Sequence, residues 1–237
     1  MAGRIEKLVM SVTMALALGV ASSAAARAET ASEGNTFTMA SPQTRVTSAA
    51  TGSPAVASTS TTKVAFGIYD PSHGYADTPN IDIEHVFMAW RTPSRVWLDT
   101  AIKYAATRNR QFMITVEPFT MADDWVSGGD HLFADIEKGK FDPQTDLICK
   151  RVALAPGRPL VRWGQEMEDP TGRYPWARTD AAGFIRAYRH FVTRCRASAP
   201  NALFVWSPKG QSNLASYYPG SAWVDRVGVA IWGYEPE

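Results

Sequence analysis

Residues 161–176 read VRWGQEMEDPTGRYPW. An apolar run ends in Gln165-Glu166, and a Tyr174-Pro175-Trp176 cluster follows. A carboxylate beside aromatic rings is costly to desolvate. Glu166 is therefore either a solvated rim residue or one whose burial has a use. The run itself, RPLVRW (158–163), hardly alternates between polar and apolar positions. That suits a strand of a parallel sheet covered on both faces.

Similar runs recur along the chain: KVAFGIY (63–69), EHVFMAW (84–90), QFMITVEPF (111–119), ALFVWSP (202–208) and DRVGVAIWGY (225–234). Between them lie helical patterns. Leu98, Ile102 and Ala105 share one stripe, Ile148, Val152 and Ala155 another, and Phe184, Tyr188, Phe191 and Cys195 a third. Asp142-Pro143 offers an N-cap followed by proline at the first helical position. Thr179 or Asp180 could cap the helix that ends near Ser198. Strands alternating with helices imply right-handed βαβ units and a parallel sheet. Six strands over residues 63–237 average roughly 29 residues per unit. The expected fold class is therefore α/β, a TIM (β/α)8 barrel that runs through about six βα units. A doubly wound open sheet is the rival, but the turn after the first strand, YDPSHGY, has no GxGxxG.

The N-terminal part reads differently. Arg4 and Lys7 precede the apolar run LVMSVTMALALGVA, and Ala26-Arg27-Ala28 fits a small-x-small cleavage site. Residues 1–28 are read as a signal peptide, too short in apolar length to span a bilayer, which needs about 20 residues. Residues 29–62 are rich in Ser, Thr and Ala, with Phe37 as the one aromatic, and are read as a disordered linker. The folded domain is placed at 63–237, in a protein secreted or held in the periplasm.

A net charge of +1 and the lack of basic runs interleaved with aromatics argue against nucleic acid as a partner. No membrane contact is expected once the leader is cleaved. There is no HExxH, CxxC or GxxxxGK[ST], so neither a metal nor a cofactor is expected. His73, His85, His131 and His190 are scattered and read as structural or surface residues. Cys149 and Cys195 permit a disulfide in an exported protein, but their places in apolar stripes suit two buried free thiols equally well.

In a barrel, chemistry collects at the C-terminal ends of the strands. Read in order, those ends carry Tyr69, Asp70 and His73, then Trp90, then Glu117-Pro118-Phe119, Gln165-Glu166, Trp206, and Trp232-Gly233-Tyr234. Aromatic rings with a few acids suit a sugar, whose C–H faces stack on rings while its hydroxyls need directional partners. Some of these rings could instead be core residues that seal the barrel top. If alternation continues to Glu166, Gly164 and Arg162 share its face. Arg162 would then sit one layer below, as a fixed positive charge able to hold a second carboxylate ionised. Burial against Trp206 and Trp176 would raise the pKa of Glu166, as a general acid requires.

The stretch RPLVRWGQEMEDPTGRYPW resembles the strand-4 signature of glycoside hydrolase family 26, the β-mannanase-like family. GKFDPQTDLICKRVAL resembles the helix before that strand, FVWSP the fifth strand, and YYPGSAWVDRVGVAIWGY the sixth. The resemblance implies an exported O-glycosyl hydrolase acting on a β-linked polysaccharide or oligosaccharide, such as a mannan, a β-glucan or an exopolysaccharide. It implies a retaining mechanism in which Glu166 is the general acid/base and a second glutamate, at the end of a seventh strand, is the nucleophile. It further implies substrate contacts from Trp90, Arg162, Gln165, Tyr174, Trp176, Trp206, Trp232 and Tyr234, with Tyr234 matching a tyrosine near the nucleophile.

Three positions depart from the family pattern. Its histidine before the acid/base is Gln165, its Asn-Gly is Glu168-Asp169, and its aromatic before Tyr-Pro-Trp is Arg173. Arg173 suggests a different sugar at the adjoining subsite, such as an acidic one. The sequence given stops just after the sixth strand, so the matching nucleophile position falls beyond it. Glu235 and Glu237 lie near the right rim but one strand early. As it stands the chain is expected to hydrolyse weakly or not at all, and the alternative reading is a non-catalytic or degenerate carbohydrate-binding barrel. A phosphoester hydrolase would need metal-ligand clusters at the strand ends, and none is seen.

Overall fold

The computed structural model of the chain describes residues 64–120 and 131–230. Residues 1–28 and 29–62, and Trp232, Tyr234, Glu235 and Glu237, lie outside the described residues.

From the second strand to the fifth, helices alternate with strands as the periodicity predicts; the first strand leads to the second without a helix, and only a 3-10 turn, Leu214–Tyr217, lies between the fifth and the sixth. The strands are β1 (Gly67–Tyr69), β2 (Ile83–Ala89), β3 (Gln111–Glu117), β4 (Leu160–Trp163), β5 (Leu203–Trp206) and β6 (Arg226–Val227). The helices are α1 (Arg95–Thr107), α2 (Leu132–Glu137), α3 (Asp142–Val152) and α4 (Ala181–Ser198). All strands pair in parallel in the order β1-β2-β3-β4-β5-β6. The order never reverses, as it would in a doubly wound sheet. It is the order of six consecutive strands of a (β/α)8 barrel, and the sheet forms a half-barrel.

The central strands β2–β5 are covered on both sides, which explains their weak alternation. On the helix side Phe112, Ile114, Val116, Val161, Trp163 and Phe204 pack against the helix stripes. Those stripes are the expected ones: Leu98, Ile102 and Ala105 on α1, Ile148 and Val152 on α3, and Phe184, Tyr188, Phe191 and Cys195 on α4. On the inner side Ile83, Met113, Leu160, Leu203 and Val205 form a second, smaller cluster.

Several boundaries differ from the sequence reading. β1, β4, β5 and β6 are shorter than their apolar runs. The short α2 carries too few residues to show a helical period. Asp180 caps α4, its carboxylate accepting from Gly183 N–H at 2.7 Å. Asp142, by contrast, is the first residue of α3 rather than its cap. Its carboxylate instead pairs across to α4, with His190 and Arg194 both at 2.7 Å. Cys149 of α3 and Cys195 of α4 form a disulfide, which decides between the two thiol readings. Among the described residues no helix is long and apolar enough to cross a membrane, and no group of three or more His, Cys, Asp or Glu side chains could hold a metal ion.

Candidate functional site

The site grows from the exit of β4. The strand ends at Trp163, and the next residues leave extended geometry: Gly164 has φ +55° and Glu166 φ +53°. At Gly164 the left-handed backbone is cheap, and a Cβ there would meet Phe184 and Trp176 at 3.4 and 3.5 Å. At Glu166 it is not cheap; a non-glycine residue held there costs roughly 1–3 kcal/mol and persists only when its surroundings over-determine it. Three hydrogen bonds do so. Gly164 N–H donates to the Val116 carbonyl at 3.2 Å and Glu166 N–H to the Ser207 carbonyl at 2.8 Å. The indole N–H of Trp176 donates to the Gln165 carbonyl at 2.7 Å. The strand alternation expected to run through Gly164 is thus broken, yet the turn still delivers Glu166 within electrostatic reach of Arg162.

Arg162 is buried on the inner side of β4, in register with Thr115 of β3 and Val205 of β5. Its Nε donates to Thr115 Oγ1 at 2.7 Å, and its guanidinium lies 5.3 Å from the Phe87 ring centre. Burial lowers its pKa to about 10, while Glu166 and Glu117 act in the opposite direction, so it stays charged at neutral pH. On the other side of the same hydroxyl lies His85, its Nε2 2.7 Å from Thr115 Oγ1. Burial, and secondarily Arg162, pushes the His85 pKa well below its ordinary value, so this ring is neutral.

Glu166 is buried, and its Oε2 has no hydrogen-bond partner. Desolvation raises its pKa, aided by Asp169, while Arg173, Lys209 and Arg162 oppose the rise. A second carboxylate stands at the end of β3. Glu117 Oε1 accepts from Gln165 Nε2 at 3.0 Å, and burial raises its pKa too, against Gln165, Arg162 and Arg173. Two carboxyls whose pKa values desolvation raises therefore lie within electrostatic reach of one buried guanidinium. Beside them the Asp169 carboxylate pairs with Lys209 at 3.0 Å and accepts from Thr171 N–H.

The aromatic residues divide. Trp90 is wholly buried, stacks on Phe141 at 4.7 Å, and donates its indole N–H to the Phe119 carbonyl, so it is a core residue of the helix side. Trp206 is 4% exposed and packs in the same core, edge-on to Tyr218 at 5.2 Å. Its alternation with Val205 sends it away from the barrel interior. Trp176 is also wholly buried; Tyr174 stacks over it at 4.6 Å and Phe119 meets it edge-on at 5.0 Å. None of these three indoles offers an open ring face. The half-buried Tyr174 is the ring that comes nearest to doing so. Arg162, Gln165, Glu166 and Tyr174 are brought together at the mouth, and Trp232 and Tyr234 lie outside the described residues.

The sequence reading gave no role to Thr115, His85, Ser207 or Lys209. For Thr115 a signal existed: QFMITVE puts Met113, Thr115 and Glu117 on one face of β3, so a polar residue at 115 had to point at a neighbour inside the barrel. Lys209 follows β5 in a loop and carried no such signal.

No family model matches the chain, and no curated protein matches it. Solved structures do. The fold is similar to the catalytic domain of a GH26 endo-β-1,4-mannanase from Bacillus sp. JAMB-750, with a TM-score of 0.53 and 16% identity over 63% of this chain and 47% of that one. It is the barrel fold of that enzyme class. A GH26 β-mannanase from Bacteroides ovatus matches with a TM-score of 0.49 and 16% identity, over 62% of this chain and 51% of that one. A glycoside hydrolase family 5 enzyme from Prevotella bryantii B14, in complex with a xyloglucan tetradecasaccharide, matches with a TM-score of 0.48 and 16% identity, over 66% and 51%. The chain spans about half the length of each of these structures.

Proposed function

We propose that the chain is an exported glycoside hydrolase of the family 26 type. Residues 1–28 are its leader, 29–62 a linker, and the half-barrel the catalytic domain. It acts on a β-linked polysaccharide, a mannan, β-glucan or exopolysaccharide, by a retaining mechanism with Glu166 as general acid/base. One observation carries this reading: Glu166 sits in a strained left-handed turn at a barrel mouth, buried, with a carboxyl oxygen free and its protonated form favoured. Strain of this kind collects at active sites. A carboxyl whose pKa desolvation raises gives up its proton closer to neutral pH, which suits protonation of a leaving group.

Each residue at the mouth has a part in this scheme. Glu166 gives its proton to the glycosidic oxygen as the C1–O bond breaks, and a second carboxylate adds to C1. The ionised Glu166 then takes a proton from water, whose oxygen attacks C1 and releases that carboxylate. By resemblance the second carboxylate comes from a seventh strand. Arg162 stabilises negative charge at the centre of the mouth in both steps. Gln165, tied to Glu117, holds a polar edge against the sugar hydroxyls, and Tyr174 lines the mouth beside it.

The test is reducing-sugar release from a panel of β-mannans, β-glucans and exopolysaccharides by the protein carried through the seventh and eighth strands that the resemblance implies, with and without Glu166→Gln. Loss of about 10²–10⁴ in rate in the variant fits a general acid. Equal rates for variant and parent would overturn the assignment.

A further inference from the structure

Two exposed arginines stand beside the mouth. Arg173 is exposed, with its guanidinium 5.1 Å from the Tyr174 ring centre. Arg91 is exposed, 5.8 Å from the Phe119 ring centre. Both rings pack on Trp176, at 4.6 and 5.0 Å, and Trp176 is bonded to the residue next to Glu166. The two arginines thus flank one aromatic stack beside the site. Neither makes a salt bridge or hydrogen bond to a side chain among the described residues. Elsewhere on the surface Arg151, Arg186, Arg194 and Arg196 each pair with a carboxylate. A third cation, Lys209, follows β5 and pairs with Asp169.

The positions matter as much as the charge. One face of Tyr174 is taken by Trp176, and a guanidinium stands over the ring. A sugar laid along this wall meets a planar fork of N–H donors where a neutral sugar would want bare ring. Such a fork matches a carboxylate in two parallel bonds.

Resting on the glycoside hydrolase reading, we propose that the substrate is an anionic β-linked polysaccharide, a glycan bearing uronic acids, whose carboxylates are received by Arg173 and Arg91 along the Phe119–Trp176–Tyr174 stack.

The test uses a matched pair of probes, β-1,4-linked hexamannuronate and mannohexaose, which differ only in oxidation at C6, and the corresponding gluco pair. Binding to the full chain carrying Glu166→Gln is measured by calorimetry at low and high salt. The expected result is a preference of about tenfold for a hexauronate over its neutral parent, shrinking at high salt. In Arg91→Gln/Arg173→Gln the two affinities converge. A neutral hexaose bound as tightly as its uronate, or a preference that survives the double variant within twofold, overturns the proposal and leaves the hydrolase reading standing. Binding of neither kind of hexasaccharide overturns both. Because both arginines are exposed, the double variant folds; its thermal unfolding checks this directly.

Discussion

Gln165 Nε2 donates to Glu117 Oε1 at 3.0 Å and so ties the end of β4 to the end of β3. The main chain of the same residue accepts from Trp176 at 2.7 Å. Gln165 is thus held at both ends, and Glu166 beside it inherits the constraint.

Gln165→Ala should cost about 1–3 kcal/mol, the range for leaving a desolvated acceptor without its donor. Urea unfolding measures it. Glu117 loses the donor that favours its ionised form, so its carboxyl should titrate higher in the variant than in the parent, as carboxyl-carbon NMR can follow.

Glu166 is expected to trade stability for chemistry. Its folded pKa lies above the ordinary 4.5. For such a carboxyl the folded state binds the proton more tightly than the unfolded state. The penalty is therefore absent at pH below 4.5 and grows as pH rises through the raised value. Glu166→Gln removes the ionisable group, and should be more stable than the parent by about 0.5–2 kcal/mol at neutral pH while losing hydrolysis. Equal or lower stability would speak against a desolvated carboxyl.

His85 sets an acid limit with the opposite logic. Its folded pKa is pushed well below the ordinary 6.5, so the unfolded chain takes up a proton that the folded one refuses. Stability should fall as pH drops below 6.5, at up to about 1.4 kcal/mol per pH unit from this group. His85→Gln, which can still bond Thr115, should flatten that slope in thermal melts at pH 4–7.

The disulfide joining α3 to α4 closes a loop of 46 residues. On chain-entropy grounds its reduction should cost up to about 4 kcal/mol. The Asp142, Asp146, His190 and Arg194 pairs that bridge the same two helices are partly exposed and offset little of it. A fall in melting temperature on adding a reductant, absent in a Cys149→Ala/Cys195→Ala double variant, checks the expectation.

The architecture was legible because its signals are periodic. Runs of β-branched and aromatic residues spaced by amphipathic stripes specify parallel strands under helices, and the stripes of α1, α3 and α4 are buried as read. Glu166 and Arg162 were legible as a carboxylate and a guanidinium at one strand end. The aromatic rim was not. Trp90 and Trp206 close their strands, but side-chain direction at a strand end depends on one step of the pleat, and both steps point to the helix layer. Trp176 comes from a loop whose path no period describes. The left-handed backbone at Glu166 was equally out of reach, since it is imposed by hydrogen bonds from β3, β5 and the Trp176 loop and not by local propensity.

The most direct measurement is the titration of Glu166 itself, by NMR of carboxyl-labelled glutamate with the Glu166→Gln variant to assign the signal. Desolvation at the barrel mouth predicts a pKa above 4.5, rising further in Arg173→Gln because Arg173 is the leading charge that opposes the rise. A value at or below 4.5, unmoved by loss of Arg173, would contradict a buried proton donor at this position.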